Sequence, residues 1–379
     1  MIKKTLQLGM VLLLVAQMVT GQVITIENKS AQSYKGKVVS IPWEKVKAAY
    51  STIDTANLKI TDAVTKAEVV FQYEFLGGKE IQNLLVLVSL KPNSAVKLQL
   101  QKGKHAPFVA KTYGRFVPER KEDFAWENDK IAFRMYGKEL ENTPKENAFG
   151  IDVWVKRTDR LIINERYKRG EYHIDHGDGM DYYHVGFTLG AGNAMPFLKD
   201  SIWYSKNYTS YKVLDNGPIR TTFQLGYDAW DVAGKQVTAT KTLSLDAGSQ
   251  LNKVSVEYKY ADGDNLPVVV GIIKRPEPGA ALLNEKASIL GYWEPEHGKD
   301  GTTGVGVVIP SPVSKMEVHR NQFIAYGTSV KNTPFVYYAG ACWDRAGAIT
   351  NEAQWFDYLV QFQKQIAAEN IVVSAAAKK

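Results

Sequence analysis

"KIAFRMYG" (residues 130–137) and "GIDVWVKR" (150–157) decide the fold. In the first, Ile131, Phe133 and Met135 fall on one side, and Ala132, Arg134 and Tyr136 on the other. In the second, Ile151, Val153 and Val155 oppose Asp152, Trp154 and Lys156. Successive side chains leave an extended backbone on opposite sides, so this period of two marks strands with one apolar face. "IRTTFQLGY" (219–227) repeats it, with Ile219, Phe223 and Leu225 against Arg220, Thr222 and Gln224. "LNKVSVEYKY" (251–260) and "KMEVHRNQFIAYG" (315–327) also read as strands. "LPVVVGIIK" (266–274) and "TTGVGVVIP" (302–310) are continuous apolar runs, as expected of strands buried on both faces. "DNGP", "DAGS", "DGDN" and "HGKDG" supply turns between them.

Many short strands and few helices predict an all-β, mainly antiparallel sandwich of large size. Their uneven spacing argues against a propeller. Two stretches read as helices, "PWEKVKAAY" (42–50) and "NEAQWFDYLVQFQKQIAAE" (351–369). In the second, Trp355, Leu359, Phe362 and Ile366 share a face, which predicts packing on the outside of the sandwich. "SAAAKK" (374–379) is expected to fray.

Residues 1–21 read as an export signal: Lys3 and Lys4 lead an apolar run from Leu6 to Val19, and Gln22 begins the mature chain. No cysteine follows the run, so no lipid anchor is expected. The expected location is periplasmic or secreted, with no membrane attachment after cleavage. Residues 22–105 form an N-terminal β-unit or the first strands of the sandwich, with a hairpin in "NLKITDAVTKAEVVFQYEF" (57–75) turning at Asp62–Lys66. The boundary falls in "KGKHAP" (102–107), the main sandwich runs over 106–350, and helix and tail over 351–379.

Cys342 is the single cysteine, so no internal disulfide supports the fold. Set in "FVYYAGACW", it reads as a buried small residue. The net charge of +7 is spread along the chain with no basic run, which disfavours nucleic acid and suits an acidic oligosaccharide or polysaccharide partner. Twenty tyrosines and eight tryptophans offer stacking surfaces for sugar rings, although β-rich proteins are aromatic in any case.

"EYHIDHGDGMDYYH" (171–184) holds three of the six histidines and three aspartates. Three readings stand beside one another. In one, His173 and His176 hold a transition-metal ion, or Asp175, Asp178 and Asp181 hold calcium, though the aspartate spacing is not that of an EF-hand loop. Alternatively, one histidine is a general acid or base oriented by an aspartate. Or the loop is a hydrogen-bonded turn, its glycines at positive φ and its acids capping backbone N–H groups. "TLGAGNAMPF" (188–197) lacks a strand–turn–helix frame and reads as a tight turn. Polar groups also cluster in "YGRFVPERKEDFAWENDKIAFRMYG" (113–137), and in "KRPEPGAA" (274–281) with "GYWEPEHGKDG" (291–301). If the apolar strand faces point inward, Arg134, Tyr136, Asp152, Trp154 and Lys156 point outward, as a sugar-binding groove needs.

"PERKEDFAWENDKIAFRMYG", "GIDVWVKR", "YHIDHGDGMDYYHVG", "LDNGPIRTTFQLGYDAW" and "KTLSLDAGSQLNKV" resemble a family of exported proteins described as a domain of unknown function. That family occurs mainly in bacteria that digest plant and algal polysaccharides, often encoded beside pectin- and uronate-processing enzymes. The resemblance covers most of 110–350. It implies a fold similar to the galactose-mutarotase-like super-β-sandwich and a role in acidic-glycan breakdown. It carries over no catalytic residues.

Taken with what the resemblance implies, the residues suggest a lyase that removes the C5 proton of a uronate and expels the C4 oxygen. A cation neutralises the carboxylate, a base takes the proton and an acid protonates the leaving oxygen. Arg115, Arg120 and Arg134 are the clamp candidates, His173 or His176 the base, and Tyr172 or Tyr182 the acid. Trp126 and Trp154 would stack on the sugar, with Tyr136 and Lys156 beside them. The nearest alternative is a glycoside hydrolase using two carboxylates, Glu127 with Asp178 or Asp181. A non-catalytic carbohydrate-binding or mutarotase-like protein is the remaining alternative.

Overall fold

The computed structural model describes residues 22–375 except 262 and 264. The expected export signal and residues 376–379 lie outside the described residues.

The chain builds two apolar cores in β-sheet. The smaller lies in the N-terminal unit. One sheet there has four strands in the order Ile371–Ala375, Gln22–Asn28, Ser94–Lys102, Leu58–Asp62, and the other has the order Tyr34–Pro42, Asn83–Leu90, Phe71–Glu74. Ile24, Ile60, Leu84, Val86 and Leu98 from both sheets share one core, with Val46 of helix α1 (Trp43–Ala49). The predicted turn at Asp62–Lys66 is present, the Asp62 carboxylate accepting from the backbone of Val64 and Thr65 at 2.9 and 2.7 Å. The hairpin is not: beyond Val69 the chain leaves its partner, and Phe71–Glu74 pairs in the other sheet. Of the tail expected to fray, Ser374 and Ala375 are strand instead, and 376–379 lie outside the described residues. Ile371–Ala375 pairs antiparallel with Gln22–Asn28 and so closes the N-terminal sheet.

The larger core is a sandwich. One layer is an eight-stranded sheet ordered Ser210–Asn216, Arg220–Val232, Lys235–Asp246, Leu251–Tyr260, Phe335–Trp343, Thr303–Val308, Ile289–Trp293, Ala280–Asn284. Opposite it lie two five-stranded sheets. The first runs from Thr112–Val117 through Asp123–Asn128, Ala132–Met135 and Asp152–Lys156 to Gly179–Met180. The second is centred on Asn265–Ile273, between Ala191–Leu198 and Gln322–Val330. A parallel bridge between Ile151 and Gly190 joins the two. "TLGAGNAMPF" is thus no tight turn; it enters the strand Ala191–Leu198 through a bulge at Ala191/Asn193. Phe133, Val153, Phe223, Leu243, Val254, Val270, Val305 and Tyr337 fill the space between layers. All strand pairings inside the sheets are antiparallel, the all-β class expected from the alternation.

Helix α2 (Ile163–Arg169) covers the first five-stranded sheet, and α3 (Glu352–Ala367) lies on the outer face of the eight-stranded sheet. Asn351 caps α3, its side chain accepting from Gln354 N–H at 3.0 Å. Trp355 and Leu359 are buried, with Phe362 and Ile366 half-buried beside them, as the spacing predicted. Glycines set the distance: a Cβ on Gly306 would lie 2.7 Å from Leu359, and one on Gly304 2.9 Å from Trp355. Only bare backbone lets the helix come this close. Cys342 is buried beneath it, and burial pushes its thiol pKa well up, away from reactivity. Among the described residues no helix is long and apolar enough to cross a membrane.

Candidate functional site

The register of two strands creates the centre of the site. Arg134 stands directly across from Asp152, and both project away from the sandwich core. Arg134 Nε and Nη2 donate to Asp152 Oδ2 at 2.9 and 2.6 Å, and Tyr136 donates its hydroxyl to the same oxygen at 3.1 Å. Two more carboxylates crowd the guanidinium, Asp181 at 3.3 Å and Asp123 at 3.7 Å. Burial raises the Asp123 carboxyl to about 6 despite Arg134 and Arg120. Burial first and the Asp152 charge second push Asp181 well up.

The expected alternation is present, but the expected groove is not. Helix α2 and the histidine loop roof the face. Arg134, Tyr136, Trp154 and Lys156 are all buried, so none of them lines an open surface. Trp126 points the other way, into the sandwich, where its indole donates to Asn252 at 2.7 Å. Neither tryptophan presents a face to a sugar: Trp154 is covered by Tyr167 and by Tyr172, whose ring stacks on it at 4.9 Å.

Glu127 is likewise corrected. Its carboxylate accepts from Lys156 Nζ at 2.6 Å and from the Ile162 and Ile163 N–H groups at 2.6 and 2.8 Å, with both charged side chains fully buried. Lys156 also donates to the Asn128 and Arg160 carbonyls. Burial raises Glu127 and lowers Lys156, and the contact between them opposes both shifts. This pair anchors the start of α2 and has no path to a substrate. Asp178 is buried against Arg169 at 3.0 Å and Arg166 at 3.7 Å. The carboxylates expected to serve a hydrolase are thus all bound in ion pairs.

The loop itself is part turn and part chemistry. Asp175 Oδ1 accepts from Gly177 and Gly179 N–H at 2.8 and 2.9 Å, and its other oxygen meets Arg157 at 2.7 Å. Gly179, at φ +103°, lies so close to Val155 that a Cβ would fall 2.2 Å from its carbonyl oxygen. No two of the three aspartates share a cation, and His176 faces Glu171 at 3.7 Å. Among the described residues no three His, Cys, Asp or Glu side chains are arranged to hold a metal ion.

His173 is different. Its Nδ1 lies 2.7 Å from the Asp181 carbonyl oxygen, which can only accept, so Nδ1 carries the hydrogen. Nε2 of the neutral ring is then the acceptor, on a side chain 68% exposed. Next to it, Tyr172 accepts at its hydroxyl from Arg120 Nε at 3.1 Å, the two rings being 4.6 Å apart. Arg120 is half-buried, with Nη2 3.5 Å from Glu146. Arg115 is paired with Glu119. The histidine loop and the guanidinium groups of Arg120 and Arg134 thus meet on one sheet face.

The loop's far end reaches the third polar stretch, whose members were not foreseen as site residues. Arg275 donates to the His184 carbonyl at 2.6 Å and to Glu294 at 2.9 Å. Burial raises Glu294 to about 7. Tyr182 is hydrogen-bonded to Thr303 at 2.6 Å and stacks on His297 at 5.1 Å. Burial pushes its hydroxyl well up. The density of charge in "KRPEP" and "YWEPEHG" was the available signal.

A protein from Formosa agariphila named "Uncharacterized protein P7" is 32% identical over 335 residues, 82% of each chain. Two solved structures from Enterococcus faecalis, an alpha-mannosidase and a protein in glycosyl hydrolase family 38, resemble this chain at TM-score 0.49 and 10% identity. The likeness covers 94% of this chain but 46% and 47% of theirs, so the chain spans about half their length. The sequence profile described as "Domain of unknown function (DUF4861)" matches residues 26–372, and the chain belongs to that family.

Proposed function

We propose that the protein is an exported carbohydrate-active enzyme that cleaves uronate-containing oligosaccharides by β-elimination. The observation that carries this reading is the His173–Asp181 hydrogen bond, which fixes the imidazole tautomer and leaves Nε2 as the acceptor on an exposed side chain. Nε2 takes the proton from C5 of the uronate. The electrons of that bond form the C4–C5 double bond, and the C4–O bond breaks. Tyr172 gives its proton to the departing oxygen and keeps the hydrogen bond from Arg120. Arg120, half-exposed beside it, is the cation that meets the substrate carboxylate. Asp181 acts through its backbone carbonyl as the group that orients His173. Burial of Glu127, Asp178 and Asp181 in ion pairs favours elimination over the two-carboxylate hydrolase.

The test is to incubate the intact protein with pectic, ulvan-like and glucuronate-bearing oligosaccharides, with and without chelator. Products are followed by ultraviolet absorbance and mass. The expected product absorbs, because its double bond is conjugated with the carboxylate, and is lighter by one water than the hydrolytic product. Chelator should leave the rate unchanged. Hydrolytic masses alone would overturn the reading.

A further inference from the structure

On the opposite face of the eight-stranded sheet from the sandwich core, a cleft of about 740 Å³ opens between the N-terminal unit, the sheet and α3. Small-molecule sites occupy about 300–1,000 Å³ and favour such junctions. The floor is made by outward side chains of two neighbouring strands. Thr222 and Ser244 share a hydrogen bond at 3.0 Å, and Thr242 accepts from Gln224 at 3.2 Å. The rings of Tyr338 and Phe362, 5.0 Å apart, form an edge. Arg220 crosses the bottom, donating to Asp246 at 2.5 and 2.8 Å, to Glu74 at 3.2 Å and to Ser40 at 3.1 Å, and so ties sheet to N-terminal unit.

A gap left only by imperfect packing of two units would expose mixed surface and spent charges. Here two lining cations are indeed spent: Arg220 as described, and Lys37 on Glu369 at 2.8 Å. Lys253 lines the same cleft, exposed, on the adjacent strand, and meets no carboxylate among the described residues. Hydroxyl groups on the floor, an aromatic edge and two cations that meet no carboxylate among the described residues, Lys253 and Lys35, are the three kinds of feature that recognise an acidic sugar. The hydroxyls exchange hydrogen bonds with sugar hydroxyls, the rings meet the apolar C–H face, and an ammonium meets the carboxylate.

We infer that this cleft is a second glycan-binding site that takes a uronate-bearing oligosaccharide. It lies apart from the histidine loop and does not depend on the reaction assigned there.

Hydrogen–deuterium exchange of the intact protein, with galacturonate, glucuronate and neutral galactose trisaccharides as probes, locates binding by peptide. A His173→Ala background prevents turnover. At least one acidic probe should protect peptides across 220–246 and 352–367. Lys253→Ala should weaken that protection about tenfold in concentration, the loss of one charge-assisted contact. Thr242→Trp, which fills the floor, should abolish it. The neutral trisaccharide should bind at least about tenfold more weakly, for the same lost contact. If no acidic probe protects these peptides, or if protection survives both substitutions, the cleft is not a glycan site. Equal binding of the neutral probe would overturn the acidic assignment. Lys253 is exposed, so its variant reads out even if the tryptophan variant fails to fold.

Discussion

Lys156 and Arg134 project from the same face of the same sheet, and both are buried beside carboxylates. Their surroundings differ in kind. Lys156 meets one carboxylate, Glu127, and every donor and acceptor of the pair has a partner at 2.6–2.8 Å. Arg134 meets three carboxylates, and two of them are driven up by burial. The first arrangement is closed and neutral, which suits a structural peg. The second carries surplus acid and reaches the surface through Asp181, whose carbonyl holds His173. Buried charge is thus no guide to function by itself; what separates the two is whether the charges balance and whether the cluster touches an accessible titratable group.

Breaking the closed pair should have the largest effect on stability. Glu127→Ala leaves Lys156 buried without its counter-charge and two N–H groups of α2 unsatisfied. Urea unfolding should report a loss of about 3–5 kcal/mol. A loss below about 1 kcal/mol, the scale of an exposed pair, would mean that the pair does not hold α2 down.

The open cluster should respond in the opposite direction. Asp123 has its carboxyl raised to about 6 from an ordinary 3.8, so the folded protein keeps a proton that the unfolded chain sheds between those values. Folding stability contributed by this group is present below about 4 and falls as pH rises through about 6. Asp123→Asn keeps the acceptor for Gly137 N–H and removes the charge. Thermal melts at neutral pH should show a gain of about 1–3 kcal/mol, and the slope between pH 4 and 6 should flatten. A destabilised Asn variant would show that the third carboxylate is needed as a charge.

The smallest effect should come from His176→Ala. Among the described residues that ring's charged partner is Glu171, at 3.7 Å, and its loss should change stability by less than about 0.5 kcal/mol. A turnover loss equal to that of His173→Ala would transfer the base to His176.

The alternation in 130–137 and 150–157 was enough to place Arg134, Asp152 and Lys156 on one face, and the fold class followed from many such runs. What covers that face was not legible. Helix α2 has only seven residues, Ile163–Arg169, too few to print an amphipathic pattern, yet it roofs Trp154 and buries Lys156. Outward on a sheet was therefore read as exposed to solvent. Ile371–Ala375 escaped notice for another reason. Its partner strand, Gln22–Asn28, lies more than three hundred residues away, and a short strand with a distant partner leaves no local signal. The histidine loop was legible by density alone. Which histidine matters was not, because it depends on a backbone carbonyl that carries no sequence mark.

The account stands on His173 as the proton acceptor. Its most direct test measures unsaturated product from a cleaved uronate oligosaccharide with wild-type protein and His173→Ala, after thermal melts show equal folding. The rate should fall about a hundred- to ten-thousandfold in the variant, the range for a lost general base. Undiminished release of unsaturated product by a folded His173→Ala protein would contradict the account.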